Sequence, residues 1–522
     1  MMRRWLIVSA VVVLVFVTML YAFTPAIKTA MRKRTEAYLQ ARFQSDIEFS
    51  HFDVFLFPHV RVTIDGLTLR LQGRTDVPPL IQIAHVDFSA SISGMLRKRF
   101  TIRSVELDGL QIHMPPKGSG ARPKIHGTET DLAEKYPVLI REIDANNALI
   151  SILRGDPGKP PREFPIHELV IKDFSFDNPA SFHARLTNPV PEGEIDCAGQ
   201  FGPWNAEDPR HTPVEAEYVF SHADMGTIKG LAGTLRSTGK FSGPLDYLNV
   251  EGMTDTPDFA LRMSAHPVNL HTDYTAIVDG TNGDVILKPV IAHFLHTTLV
   301  VNGQVVDLTP EKGRTIQLDA VSRETAIEDL LYLTVKNDPP IMTGPAKLTA
   351  KIDIREGNAD ILQRTTIAGQ FSVADARFTS NVQEKVDTLS RKAQGHPKDQ
   401  DIGDVVSNLN STFRVDEGVA SFSKLGFGVP GANIALTGTY GLDSGEMDFR
   451  GKLLMQAKLS QTTTGAKSFF LKAVDPFFKG KNGGSDLPIK ITGTKDHPSF
   501  GLDLHHGDDK KDSGGTVRHS EH

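Results

Sequence analysis

Only a few groups of residues in this chain have an order that could do chemistry, and each fails a specific test. Gly426-Phe427-Gly428-Val429-Pro430-Gly431 spells the glycine pattern of a dinucleotide-binding loop. Such a loop works only when a helix N-terminus follows it and receives the pyrophosphate. Here Pro430 intervenes and Asn433 to Gly438 (NIALTG) alternates like a strand, so a turn between strands is expected. Gly233 to Phe241 (GTLRSTGKF) imitates a phosphate loop. Its glycine spacing is one residue too long, and Phe241 stands where Ser or Thr would meet magnesium.

The 19 histidines form no ligand set. His293 and His296 are three apart and His266 and His271 five apart; on a strand, the first pair points to opposite faces. The sequence contains neither HExxH nor GxSxG, and the acidic pairs Glu207-Asp208 and Asp508-Asp509 suit solvated loops. Cys197 is the single cysteine, which excludes an intramolecular disulfide and suits a small packed residue. The sequence therefore predicts no catalytic residue, metal or cofactor. The chain has 522 residues, a net charge of −6 and 23% charged residues, an ordinary globular balance without the basic excess of a nucleic-acid binder.

The elements that must carry this chain begin with a membrane-length stretch, Trp5 to Phe23. Trp5, Leu6 and Ile7 open it, Val11, Val12, Val13, Leu14, Val15, Phe16 and Val17 form its centre, and Leu20, Tyr21 and Phe23 close it. No charged residue interrupts it, and at ~1.5 Å per residue it gives ~28 Å of helix, enough for a hydrocarbon core. Trp5 and Tyr21 suit the headgroup level. The apolar region is longer than that of a signal peptide, and Pro25 would follow the best cleavage site, so a retained anchor is expected. Arg3 and Arg4 precede the span; Lys28, Arg32, Lys33 and Arg34 follow it. Charge count favours a cytoplasmic body, but long domains translocate largely regardless of charge, so the side stays open at this point.

Beyond the anchor the period changes. Ala26 to Phe43 suggests a short membrane-exit helix, with Ile27, Met31, Tyr38 and Leu39 on one face. Then Val60, Val62 and Ile64 alternate with polar residues, Leu67, Leu69 and Leu71 continue after Gly66, and IQIAHVDFSASIS and FTIRSVELDGLQIHM repeat the pattern. This is the period of half-buried strands, and it persists for some 450 residues, punctuated by turn residues such as Asn282-Gly283. Helices are expected only at Ser322 to Val335, Asn381 to Gln394 (with Ser380 and Gln383 as a capping box), Ile402 to Leu409 and Ala466 to Lys479. The last is unusually aromatic: Phe469, Phe470, Leu471, Val474, Phe477 and Phe478 exceed what one helix face hides, which suits either a plug over the sheet end or contact with lipid or a partner's membrane helix. The fold expected is mostly β, a transmembrane helix followed by a long, twisted, mainly antiparallel sheet. Two or three ordinary β domains on a stalk satisfy the same periodicity.

One resemblance spans nearly the whole chain. FPHVRVTIDGLTLR, SVELDGLQIHMPP, LTNPVPEGEIDCAGQFGPWNAEDPRHTPVEAEYVF, VEGMTDTPDFAL, the run from Leu389 to Gly451 and LPIKITGTKDHPSF resemble the AsmA family in order and spacing. The segmentation this suggests is 1–24 cytoplasmic tip and transmembrane anchor, 25–50 membrane-exit helix and linker, 51–200 N-terminal AsmA-like β module, 201–380 central β-groove region, 381–504 AsmA-like C-terminal region and 505–522 a tail expected to be disordered. The resemblance implies a bacterial inner-membrane protein with a cytoplasmic N-terminus and a periplasmic body. It also implies an apolar β-groove, like those of bridge-like lipid transfer proteins, that handles phospholipid and affects outer-membrane assembly, with inner-membrane proteins as possible partners. A non-transporting envelope scaffold with a filled β core is the alternative.

Overall fold

The computed structural model describes residues 28–503 apart from 31, 34, 38–39, 41–44, 56–59, 72–77, 91–99, 115–137, 155–157, 176, 206–208, 310–312, 337, 396–404, 459–483 and 495–496. Within these the chain is mostly β, a long and almost wholly antiparallel sheet with few short helices. It divides into two compact units. The first holds residues up to Asp224 with 235–253 and 275–286; the second holds 225–234, 254–274 and 287 onward.

In the first unit, Ser45–Glu48 and His51–Phe55 both pair with Val60–Leu71, which pairs with Ile81–Ala90, which pairs with Phe100–Met114. Phe100–Met114 then runs parallel to Val138–Asn146 and Ala148–Ile152, the two halves of one strand broken at Asn147. Antiparallel pairing resumes through Arg162–Phe174, Ala180–Pro189, Glu192–Phe201 and Pro213–Asp224.

The core of this unit depends on one transverse crease. Asp65 pairs with His85 and Leu67 with Ile83; His85 pairs with Asp108 and Ile83 with Leu110; Asp108 pairs with Asn146. Gly66, Ala84, Gly109 and Asn147 therefore lie side by side across four strands. Gly66, Gly109 and Asn147 have φ of 63°, 65° and 51°. A left-handed residue inside a strand re-aims everything after it, as in a glycine bulge. Because the neighbouring strands bend at the same row, register is kept while the apolar parity reverses. Val62 and Ile64 sit on even positions before the crease, and Leu67 and Leu69 on odd positions after it; Val105 and Leu107 give way to Leu110 and Ile112, and Ile143 and Ala145 to Ala148 and Ile150. All of these join one cluster with Ile47, Phe49 and Val54. Polar groups hold its outer side: Asp65 Oδ1 lies 2.6 Å from His85 Nδ1, Asn147 Nδ2 donates to Asp108 Oδ1 at 2.8 Å, and the Ser50 N–H and hydroxyl both donate to the Asp65 carbonyl.

The described residues between 28 and 40 are helical and attach to the sheet edge. Lys28 pairs with Asp53, which lowers the Asp53 pKa, and Arg32 donates to the Phe49 carbonyl while lying over its ring.

In the second unit, Thr297–Thr309, Gly313–Glu324, Ala346–Ile354, Thr365–Phe378, Ser407–Asp416, Val419–Val429, Ala432–Gly441, Glu446–Met455, Ser485–Thr494 and Pro498–Leu502 pair in sequence order, all antiparallel. Helices α1 (Ile327–Thr334), α2 (Ile361–Arg364) and α3 (Ser380–Ala393) interrupt them.

Four local expectations need correction. Ser322 to Glu324 belong to a strand, so α1 is shorter than the expected helix: Leu348 N–H donates to Ser322 Oγ, which ties that stretch to the ladder. Ser407 to Leu409 are strand and not helix, because Leu409 pairs with Val373 and Phe427. Helix α3 starts at the expected place but without the capping box. Thr379 is the N-cap and makes no side-chain cap, and Gln383 Oε1 accepts from the Phe378 N–H at 2.9 Å. At Asn282-Gly283 the loop is wider than a two-residue hairpin: only Gly283 has positive φ (77°), and Asp279 organises residues 279–284 by accepting from Thr281 and Asn282.

Candidate functional site

The second unit presents one continuous apolar face. Following Cα partners from strand to strand gives the row Val301–Ala320–Ala350–Gly369–Phe413–Phe422–Gly438–Phe449–Ile491. The adjacent row reads Leu318–Ile352–Ile367–Val415–Ala420–Tyr440–Met447. Nine strands at ~4.8 Å spacing make the first row roughly 38 Å long, against ~15 Å for half a hydrocarbon core. The opposite face carries mixed charge and amide groups, including Lys351 paired with Asp319, and Arg450 with Asp448.

The level of burial along this face is unusual. Its fully buried members are mainly small, such as Ala320, Ala350 and Ala420, whereas Phe413, Phe422, Phe449, Ile352, Ile367 and Ile491 are only half-buried. Among the described residues, Phe413, Phe422 and Phe449 join none of the three buried clusters. The large side chains lean on one another and on glycines. Phe422 and Phe449 rings are 5.7 Å apart, and Phe371 and Phe413 6.0 Å. A Cβ on Gly369 would stand 2.4 Å from the Thr349 carbonyl oxygen and 3.0 Å from Phe413 Cζ, and one on Gly438 2.2 Å from the Asp448 carbonyl oxygen and 2.7 Å from Phe449 Cδ1, so neighbouring backbone and ring together close the space a side chain would take. Rings set against glycines leave a broad apolar surface on the sheet.

Two helices meet this face near its margin. α1 packs Ile327, Leu330 and Leu331 against Ala346, Val373 and Phe371. α3 packs Val386, Leu389 and Ala393 against Val429, Ala432, Met455 and Leu487. Polar bonds pin α3 down: Gln383 Nε2 donates to the Val405 carbonyl, Ser390 Oγ to the Pro430 carbonyl, and Ala457 N–H to the Ala393 carbonyl. The carboxylate of Asp329 in α1 is buried and satisfied by the His296 N–H and the Thr297 hydroxyl at 2.8 Å each, a structural tie.

In the first unit a similar half-buried pattern runs over Ala180–Pro189, Glu192–Phe201 and Pro213–Asp224, with Phe182, Gly199 and Ala216 in one row and Ala184, Cys197 and Tyr218 in the next. Burial, and the charge of Asp196 after it, push the Cys197 thiol up to about 11, a packed and unreactive sulfur.

Of the histidines singled out in the sequence, His271 and His293 are brought together, their rings stacked with centroids 6.5 Å apart, while His266 and His296 lie in other settings. His271 lies 2.7 Å from Asp255 and 3.6 Å from Asp273, which raises its pKa chiefly through the Asp255 hydrogen bond. His293 contacts Thr298 Oγ1 at 2.9 Å, and His266 stacks on Tyr332 and contacts its carbonyl. No group of three or more ligating side chains is gathered among the described residues. Gly426 to Gly431 is the end of one strand and the turn into the next, Ala432–Gly441, so no helix receives a phosphate there. The proposed anchor residues from Trp5 to Phe23 and the aromatic stretch Phe469 to Phe478 lie outside the described residues. No helix among the described residues is long and apolar enough to cross a membrane. The half-buried face itself was visible in the sequence only as strand periodicity; which of its residues are exposed depends on what the other layer supplies. No protein-family model, curated protein or solved structure matches the chain.

Proposed function

We propose that this chain is a membrane-anchored envelope protein of the AsmA type that holds phospholipid acyl chains along the apolar face of its second unit. The observation carrying this reading is the Phe413–Phe422–Gly438–Phe449 row: large apolar side chains in one line, half-buried and outside any packed core. An acyl chain needs only a dry apolar track, because each buried CH₂ is worth ~0.8 kcal/mol, and the headgroup can stay in water. No catalytic group is needed for such a task. The anchor at Trp5 to Phe23 would place the track beside the inner membrane, with the body in the periplasm, and the aromatic stretch Phe469 to Phe478 would meet lipid or an inner-membrane partner protein.

The second reading, a scaffold with a filled core, is favoured by the first unit alone, where Val62, Ile64 and Leu69 are fully buried. Native mass spectrometry and lipid extraction on the chain from residue 26 onward, purified without detergent, separates the two. Phospholipid near or above stoichiometry, lost in Phe413→Asp and in Phe422→Asp, supports lipid handling. A stable, lipid-free protein supports the scaffold.

A further inference from the structure

The opposite face of the same strands carries a feature that lipid handling does not use. Asn408 pairs with Gly428, and Gly428 with Asn433; one step along, Asn410 pairs with Gly426. Each glycine is a missing side chain between neighbours, and the Asn408–Gly428–Asn433 row leaves a dent flanked by two carboxamides. Two strand spacings put their Cα atoms roughly 10 Å apart. The concavity measures about 420 Å³, within the range of small-molecule sites. Its lining includes Val406, Asn408, Asn410, Gly426, Gly428 and Asn433, and no charged side chain lines it.

The hydrogen-bonding state of these amides narrows the ligand. Asn408 Oδ1 accepts from the Asp375 N–H at 3.3 Å, which leaves its amide hydrogens free to donate. The side chains of Asn410 and Asn433 contact the would-be Cβ positions of Gly426 and Gly428 and make no hydrogen bond among the described residues. Each carboxamide offers two donors and one acceptor in a plane, the complement of adjacent hydroxyls that each donate and accept. Val406 and Leu454, both exposed, flank the row and supply apolar contact for the C–H face of a ring.

Other ligand classes fit less well. A phosphate needs a cation, and no lysine or arginine lines the concavity; Lys452, beside it, is paired with Asp486 at 3.4 Å. An added polypeptide strand needs a free sheet edge. Ser407–Asp416 and Ala432–Gly441, which carry these asparagines, are each paired on both sides. A metal needs carboxylate, imidazole or thiolate, and the lining has none.

We propose that the Asn408–Asn410–Asn433 concavity is a binding site for an uncharged glycan segment, one or two pyranose rings seated over Gly426 and Gly428. The chain would then hold a neutral polysaccharide on one face of the sheet, independently of any lipid on the other.

The test is titration of the full-length chain, solubilised in a detergent without a sugar headgroup, with chitotetraose and with maltotetraose, read by saturation-transfer NMR and calorimetry. Saturable binding of at least one of them is expected. Asn433→Ala and Asn410→Ala should each weaken it about tenfold, the usual effect of one lost hydrogen-bonding group. Gly428→Ala should do the same by filling the dent; its Cβ would meet only the adaptable Asn433 amide at 3.0 Å, so the fold should tolerate it. Thermal unfolding of each variant confirms folding. Absence of binding by both sugars, affinities unchanged in all three variants, or equal binding of tetra-alanine would overturn the proposal.

Discussion

The creased cluster around Gly66 and the apolar face around Phe413 start from the same alternation of apolar and polar residues, yet end at opposite levels of burial. In the first, neighbouring strands each spend one residue on a bend in the same row, and both halves of every strand turn their apolar side chains into one cluster. Val62, Ile64 and Leu69 are buried there. In the second, the strands from Thr297–Thr309 to Ser485–Thr494 carry scattered bulges, near Thr298, Asp307, Val373, Phe413 and Phe422, that do not line up in one row, and their large side chains lie half-buried. Position within a strand decides which face a residue takes. The backbone irregularities decide whether that face closes on itself or stays half-exposed.

The largest expected contrast is in stability. Ile64→Ala should cost ~2–5 kcal/mol in chemical unfolding, as a buried large-to-small change does, whereas Phe413→Ala should cost less, about 2 kcal/mol, because part of its ring already meets water. Equal costs would break the comparison. Glycine substitutions sharpen it further. Gly66→Ala forces a side chain into a left-handed conformation with Ser50 Oγ 2.5 Å away, for a loss of ~1–2 kcal/mol and a distorted crease. Gly438→Ala would set a Cβ 2.2 Å from the Asp448 carbonyl oxygen and 2.7 Å from Phe449 Cδ1, so the neighbouring strand must shift together with the ring, a cost of ~1–3 kcal/mol from overpacking, visible as NMR changes in both the Asp448 backbone and the Phe449 ring.

Chemical reactivity gives a third comparison. With its thiol raised to about 11, Cys197 should alkylate at pH 8 roughly 100-fold more slowly in the folded chain than after denaturation. Rapid alkylation of the folded protein would show that this part of the apolar face is wetter than its packing indicates. The smallest effect concerns the polar outer face. His271 gains a partner in Asp255, so its folded pKa lies above the unfolded ~6.5. Its contribution is fully present below that pH and is lost as pH rises through the folded value. His271 is partly exposed, so the effect should stay below ~1 kcal/mol. His271→Asn should flatten the stability profile above about pH 6.5 by that amount.

Much of the strand pattern could be read directly in the sequence. The alternation in Ala346–Ile354 and the helical spacing of Val386, Leu389 and Ala393 each found their place. The crease was also written there, in Ile64-Asp65-Gly66-Leu67 and Leu107-Asp108-Gly109-Leu110, but a parity reversal has meaning only when neighbouring strands reverse in the same row, which register decides. The helix expected over Ile402 to Leu409 shows the converse. Its apolar spacing was ambiguous, and cross-strand pairing of Leu409 with Val373 settled Ser407 to Leu409 as strand. The Asn408–Gly428–Asn433 dent could not be seen either, because it joins residues from three strands. Motifs fared better than sites: the proline in Gly426 to Gly431 was enough to exclude a nucleotide loop.

The most direct test of the open face places a photoactivatable benzoylphenylalanine at Phe413, at neighbouring Thr412 and at Ile64 in the full-length chain, irradiates intact cells, and looks for lipid by mass spectrometry. Side chains 413 and 412 point to opposite faces of one strand, and Ile64 lies in the filled cluster. Phospholipid adducts at position 413, with none at 412 or 64, are the expected result. Adducts at 412 equal to those at 413, or no lipid at any of the three, would contradict an open lipid track.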